Sequence, residues 1–89
     1  MARVAFTEHV AKVAPGAGGV YAGADLREVL DDVFRAHPQL RHYLLDDQGR
    51  VRKHVAVFID GVRVPGAKAL ECRMTDASDV YVMQALSGG

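Results

Sequence analysis

The sequence closes on Gly88-Gly89, and the residues leading there are Val80-Tyr81-Val82-Met83 and then Gln84-Ala85-Leu86-Ser87. Val80 and Val82 alternate in the manner of a strand. Glycine has no Cβ, so a Gly-Gly end is thin and reaches backbone angles closed to other residues. A strand feeding into such a tail delivers a free carboxylate on a flexible stalk that is anchored at its base. If the chain does chemistry, it is expected at the carboxylate of Gly89, carried by Leu86, Ser87 and Gly88. Taken alone, the dipeptide fits a frayed chain end at least as well.

The other candidates are weaker. Cys72 has no surrounding charge pattern that argues for a lowered thiol pKa. Its place between Leu70 and Met74 suits a small half-buried residue. His9, His37, His42 and His54 lack metal-ligand spacing. The glycines of Gly16 to Gly19 are not followed by Gly-Lys-Ser or Gly-Lys-Thr, and the next element reads as a strand, so they do not form a phosphate loop. Asp31 and Asp32 resemble paired catalytic carboxylates, but they lie opposite an apolar helical stripe and read as a wet surface. Arg50, Arg52, Lys53 and His54 make a small basic patch without interleaved aromatics. It suits contact with an acidic partner better than a nucleic acid.

Composition narrows the class. The 89 residues make one domain with a modest core. Hydrophobic residues are 49% and charged residues 25%, a globular balance. Eleven basic and eleven acidic residues cancel, so no nucleic-acid or membrane field is expected. One cysteine fits a reducing compartment. No signal peptide or long apolar run is visible. A soluble, cytoplasmic protein is expected, monomeric when free.

The elements that must hold the tail follow from periodicity. Arg3 to Thr7 reads as a strand, Glu8 to Gly19 as a loop broken by Pro15, Gly16, Gly18 and Gly19, and Val20 to Ala22 as a second strand paired with the first. Asp25 to Ala36 reads as the one long helix, because Leu26, Val29, Leu30, Val33 and Phe34 recur at spacings of three and four. Asp25 and Glu28 suit a capping box, and Pro38 stops the helix near His37. Leu40, Tyr43, Leu44 and Leu45 suit a helical turn, and Asp46 to Arg50 a loop turn. Val55 to Ile59 is the strongest strand. Asp60-Gly61 signals a two-residue hairpin into Val62 and Val64. Leu70 and Met74 are expected to share one helical turn, and Thr75 to Asp79 a polar turn into the last strand. Val55, Val57, Ile59, Val80 and Val82 should then face the helix. Ala56, Phe58, Tyr81 and Met83 should face away. Phe58, Tyr81 and Met83 would form either a protein-docking patch beside the tail or ordinary cross-strand packing.

This order of elements with a terminal Gly-Gly resembles the ubiquitin-like sulfur carriers of the MoaD/ThiS family. "VAVFIDG" (Val55 to Gly61) looks like that family's central strand and hairpin turn. "LECRMTDASDVYVMQALSGG" (Leu70 to Gly89) is similar to its closing segment, with Leu70, Met74, Asp76, Val80, Val82, Ala85, Leu86, Gly88 and Gly89 matching in register. Two positions depart from the pattern. Asp76-Ala77-Ser78 replaces an Asp-Gly-Asp turn, and Gln84 stands where a proline is frequent.

The resemblance implies an α+β fold, the ubiquitin-like β-grasp: a mixed five-stranded sheet packed on one main helix, residues 1–84, with a flexible tail over 85–89. It further implies a protein cosubstrate rather than an enzyme, with no bound cofactor or metal. An activating enzyme of the ubiquitin-activating type, using ATP and magnesium, would adenylate Gly89. A sulfur donor would then leave a glycyl thiocarboxylate for a biosynthetic acceptor enzyme. Because no residue follows Gly89, no protease is expected to be needed to expose it. Cysteine, molybdopterin, thiamin and thio-natural-product routes all use such carriers. The extension Leu44 to His54 resembles the cysteine-linked subgroup. Two alternatives stay open: a ubiquitin-like modifier joined to other proteins through Gly89, and an interaction module whose tail has no role.

Overall fold

The computed structural model describes residues 1–84; Ala85 to Gly89 lie outside the described residues. The elements run β1 (Ala2–Phe6), α1 (Glu8–Val13), β2 (Gly19–Tyr21), α2 (Leu26–Ala36), α3 (Gln39–Leu44), β3 (Val55–Ile59), β4 (Val62–Val64), α4 (Gly66–Ala69) and β5 (Asp79–Gln84). The strands form one mixed sheet in the order β2-β1-β5-β3-β4. β5 lies at its centre, parallel to β1 and antiparallel to β3. The outer pairs, β1 with β2 and β3 with β4, are antiparallel.

The sheet buries one face under the helices. Val4, Val57, Val80 and Val82 are all at most 2% exposed, as are Val29, Leu30 and Val33 from α2 and Leu40 and Leu44 from α3. This is the apolar stripe that the spacing of α2 predicts, set against the inward side chains of β3 and β5. The β3–β4 turn follows its sequence signal. Asp60 and Gly61 have φ of 52° and 83°, the paired positive values that a two-residue hairpin turn requires and that Asp-Gly tolerates. Asp60 also ties the turn to β5, since its Oδ1 accepts the Asp79 N–H at 2.9 Å.

The start of α2 is held from two sides. The Asp25 carboxylate accepts the Glu28 N–H at 2.9 Å, as an N-cap should. Glu28 reaches back to the N–H of Ala24 at 2.9 Å, one residue earlier than the usual capping box. The remaining donors of the first turn go to a distant segment: Leu26 N–H bonds the Cys72 carbonyl and Arg27 N–H the Leu70 carbonyl, at 2.9 and 3.0 Å. Helix ends leave such donors unpaired unless something else accepts them. Gly23 lets the approach to α2 lie close to it. A Cβ there would sit 2.5 Å from the Val29 nitrogen.

Several expectations need correction. Residues 8–13 are helical as α1, where the breakers downstream suggest only a loop. The helix exists because Val10 and Ala14, four apart and both fully buried, cover the end of the sheet next to β5. It stops before Pro15, whose neighbour cannot stay helical. Leu70 and Met74 do not share a helical turn. α4 ends at Ala69, and Met74 instead bonds the Ala24 carbonyl through its N–H at 2.9 Å. Both side chains are still buried in the core. β1 begins one residue earlier than the pattern suggests, at Ala2, and β2 at Gly19. The Thr75–Ser78 turn is closed by Ser78, whose Oγ accepts the Thr75 N–H at 2.8 Å. The Ser78 N–H also donates to the Thr75 carbonyl at 3.1 Å, so the turn is closed by backbone and side chain together.

Two changes test this account by denaturant or thermal melting. Phe34→Ala should cost about 3–5 kcal/mol, through lost burial and the cavity left. A variant that melts like the parent would show that the α2 face is assigned wrongly. Gly23→Ala should cost about 1–3 kcal/mol, because the clash is with rigid backbone rather than a movable side-chain tip. Val20→Ala, at an exposed β2 position, serves as the control and should change stability by at most about 0.5 kcal/mol.

Candidate docking face and tail root

The register of β5 decides which side chains gather. Phe58 lies directly opposite Tyr81, and Ala56 opposite Met83. Side chains alternate across a strand, so Phe58, Tyr81 and Met83 share the face away from the helices, as the alternation predicts. Tyr81 is 42% exposed, while Phe58 and Met83 are half-buried. Ala56, placed on the same face, is buried.

Two further strands join the same face. Ala5 of β1 pairs with Tyr81, and Arg63 of β4 pairs with Phe58. A shallow depression opens there, lined by Arg3, Ala5, Phe58, Gly61, Asp79 and Tyr81. Arg3 Nη1 stands 3.4 Å from the Asp79 carboxylate at its margin. An apolar floor with a polar margin is the usual build of a protein contact. Arg3, Ala5 and Arg63 are absent from the sequence-level candidates. Alternation within β1 and β4 gives their facing, but only the strand order places them beside Phe58 and Tyr81.

The root of the tail is fixed from two elements. Gln84 ends β5 and pairs with Val55 of β3. The Tyr43 hydroxyl, on α3, donates to Gln84 Oε1. A Gln at this position therefore anchors the end of β5 by its side chain, where a proline would restrain the backbone instead. The Thr7 N–H bonds the Val82 carbonyl at 3.1 Å and extends the β1 edge toward the same point. The residues assigned to the reacting tail, Leu86, Ser87, Gly88 and Gly89, lie outside the described residues.

The remaining polar candidates have structural duties. Asp32 accepts the Ala22 N–H and Arg35 Nη1, each at 3.0 Å, and so holds the end of β2 to α2. Asp31 is exposed. The Tyr21 hydroxyl donates to the Ala17 carbonyl. Burial raises its pKa, and the nearby Asp32 charge adds to the rise. Cys72 is half-buried, with Sγ 3.5 Å from the Lys68 carbonyl. Among the described residues no cluster of three or more His, Cys, Asp or Glu is placed to hold a metal, and no helix is long and apolar enough to cross a membrane.

No protein-family model matches the chain, and no curated protein does. Solved structures match it over nearly its whole length. The small archaeal modifier protein SAMP1 of Haloferax volcanii superposes with a TM-score of 0.81 at 23% identity, covering 99% of this chain and 98% of its own. CysO of Amycolatopsis orientalis, in its complex with BexX, reaches 0.84 at 20% identity, with 100% of both chains covered. CysO of Mycobacterium tuberculosis gives 0.82 at 17% identity, covering 97% of this chain and 100% of that one. The chain has the ubiquitin-like β-grasp fold that its MoaD/ThiS resemblance implies.

Proposed function

We propose that the chain is a sulfur carrier, a protein cosubstrate that reacts through the carboxylate of Gly89. The observation that carries this reading is the position of β5. The central strand of the sheet, paired on both sides, runs to Gln84, with only Ala85, Leu86 and Ser87 between it and Gly88-Gly89. An anchored strand end followed by a short segment ending in two glycines suits the offer of a carboxylate to another protein's active site. The sheet supplies the anchor and the partner supplies the catalysis.

The chemistry starts from a poor electrophile. The Gly89 carboxylate oxygen attacks the α-phosphorus of ATP on a ubiquitin-activating-type adenylyltransferase, and pyrophosphate leaves with magnesium. The resulting acyl adenylate is open to sulfide, whose sulfur attacks the carbonyl carbon and loses its proton while AMP departs. The product is a glycyl thiocarboxylate, whose sulfur is nucleophilic and can pass to an acceptor enzyme of a biosynthetic route. Phe58, Tyr81 and Met83 dock the activating enzyme. The complex of CysO with BexX supports the general expectation that a domain of this shape works by seating against a second protein. The cysteine-linked routes are the favoured pathway class, on the strength of the extension Leu44 to His54.

A second reading is favoured by the modifier name of SAMP1: activation of Gly89 followed by joining to lysines of other proteins. Intact mass after incubation with ATP, magnesium, the activating enzyme and sulfide separates the two. A carrier exchanges one oxygen for sulfur, whereas a modifier appears as adducts on other chains.

Deleting Gly89 should abolish both adenylate and thiocarboxylate, because the carboxylate retreats by about 3.5 Å and in-line attack does not tolerate that. Melting should be unchanged, since the described ladder of the sheet closes at Gln84. Sulfur appearing on the shortened chain at the parental rate would remove the mechanism. Phe58→Asp should weaken the complex with the activating enzyme by about 2 kcal/mol or more in a variant that remains folded. Unchanged affinity would show that the sheet face is not the contact.

A further inference from the structure

The segment that joins α3 to β3 is built as a fixed platform. Leu45 and Val51 pair as an antiparallel bridge, and the Arg52 N–H donates to the Leu44 carbonyl at 3.0 Å. Asp46 closes the turn between them. Its carboxylate accepts the N–H groups of Gln48 and Arg50 at 2.9 Å and Arg50 Nε at 3.1 Å. The Arg50 N–H foremost among these contacts holds the Asp46 carboxyl below its ordinary range. Val51 is pressed against Gly66, where a Cβ would come within 2.7 Å of the Val51 Cβ. Arg52 is tied by its side chain, with Nε donating to the His42 carbonyl at 2.9 Å.

The hollow of this platform is lined by Asp46, Arg50, Val51, Arg52, Lys53 and His54. Its charge does not balance. Asp46 answers Arg50, and among the described residues no carboxylate pairs with Arg52 or Lys53. The whole chain is neutral, so the excess is a local segregation of charge. Its place is informative: Val55, next after His54, is the residue that pairs with Gln84. Lys53 and His54 therefore stand at the same end of the sheet as Gln84, from which the chain goes on to Gly89.

We infer that this hollow is a second docking surface, one that receives a carboxylate-bearing loop of the enzyme that activates Gly89. The inference rests on the carrier reading and adds to it a partner of stated charge and a second contact at the tail root. The platform is pinned at both ends and at its floor, so little ordering remains to oppose binding. Exposed charges of this kind act mainly on the rate of encounter and on orientation. A nucleic acid is the poorer occupant, because no Phe, Tyr or Trp lines the hollow as a stacking platform and the cations are too few for strong phosphate binding.

The test uses the full chain, the adenylyltransferase and ATP with magnesium, and reads KM for the carrier and kcat separately. The variant is Arg52→Gln with Lys53→Glu; glutamine keeps a donor for the His42 carbonyl, so the platform stays closed. Lys53→Glu alone serves as a second variant that touches no structural bond. At about 0.05 M salt KM should rise about tenfold, with kcat unchanged. At about 0.5 M salt the parent and variants should converge as screening shortens the reach of charge. Arg73→Glu, an exposed reversal near the start of α2, should leave KM as it is. Equal KM values at low salt, a difference that salt does not shrink, or a parent that binds duplex RNA as tightly as it binds the enzyme would each overturn the inference. A parent that is never adenylated would overturn the carrier reading and this surface with it, an outcome distinct from an active parent with indifferent variants.

Discussion

The structure depends on one pairing, the parallel ladder between β1 and β5. It sets the first strand of the chain beside the last, Arg3 opposite Asp79 and Phe6 opposite Val82. With β3 on its other side, β5 has a backbone partner on both edges, and no exposed edge is left at the centre of the sheet. Everything else is arranged around that strand. α2 covers its inner side chains, the Asp60 turn holds its start, and Tyr43 on α3 holds its end. A tail mounted elsewhere, on β2 or β4, would hang from an edge strand of three residues.

The carboxylates of the described residues show a consistent pattern of use. Several of them position the backbone. Asp25 and Glu28 cap α2, Asp32 closes β2 onto it, Asp46 shapes the platform before β3, and Asp60 fixes the hairpin to β5. Beside them lie an apolar face with Phe58 and Tyr81 and a basic hollow with Arg52 and Lys53.

Much of this was legible in the sequence, and the reasons are physical. α2 could be read because five apolar residues repeat at helical spacing and a proline marks its end. Asp60-Gly61 could be read because few dipeptides accept positive φ twice. The facing of Phe58, Tyr81 and Met83 followed from the two-residue period of strands. α1 was hidden, because six residues give too short a window for periodicity, and its burial depends on a sheet end that only the strand order creates. The contribution of Arg3, Ala5 and Arg63 to the outer face was hidden for the same reason. Neither the bond from Tyr43 to Gln84 nor the carbonyls of Leu70 and Cys72 on α2 leaves any local pattern, since each joins residues more than forty positions apart.

The parallel ladder also has a meaning for synthesis. β1 is made before its partner β5, since Arg3 pairs with a residue seventy-six positions downstream. Until β5 emerges, Val4 has no neighbouring strand on that side and the inner faces of β1 and β3 belong to separate hairpins. Contacts so distant form late, and incomplete chains expose the edges and apolar surface that chaperones and proteases recognise. A nascent chain cut short before Val80 cannot close its sheet.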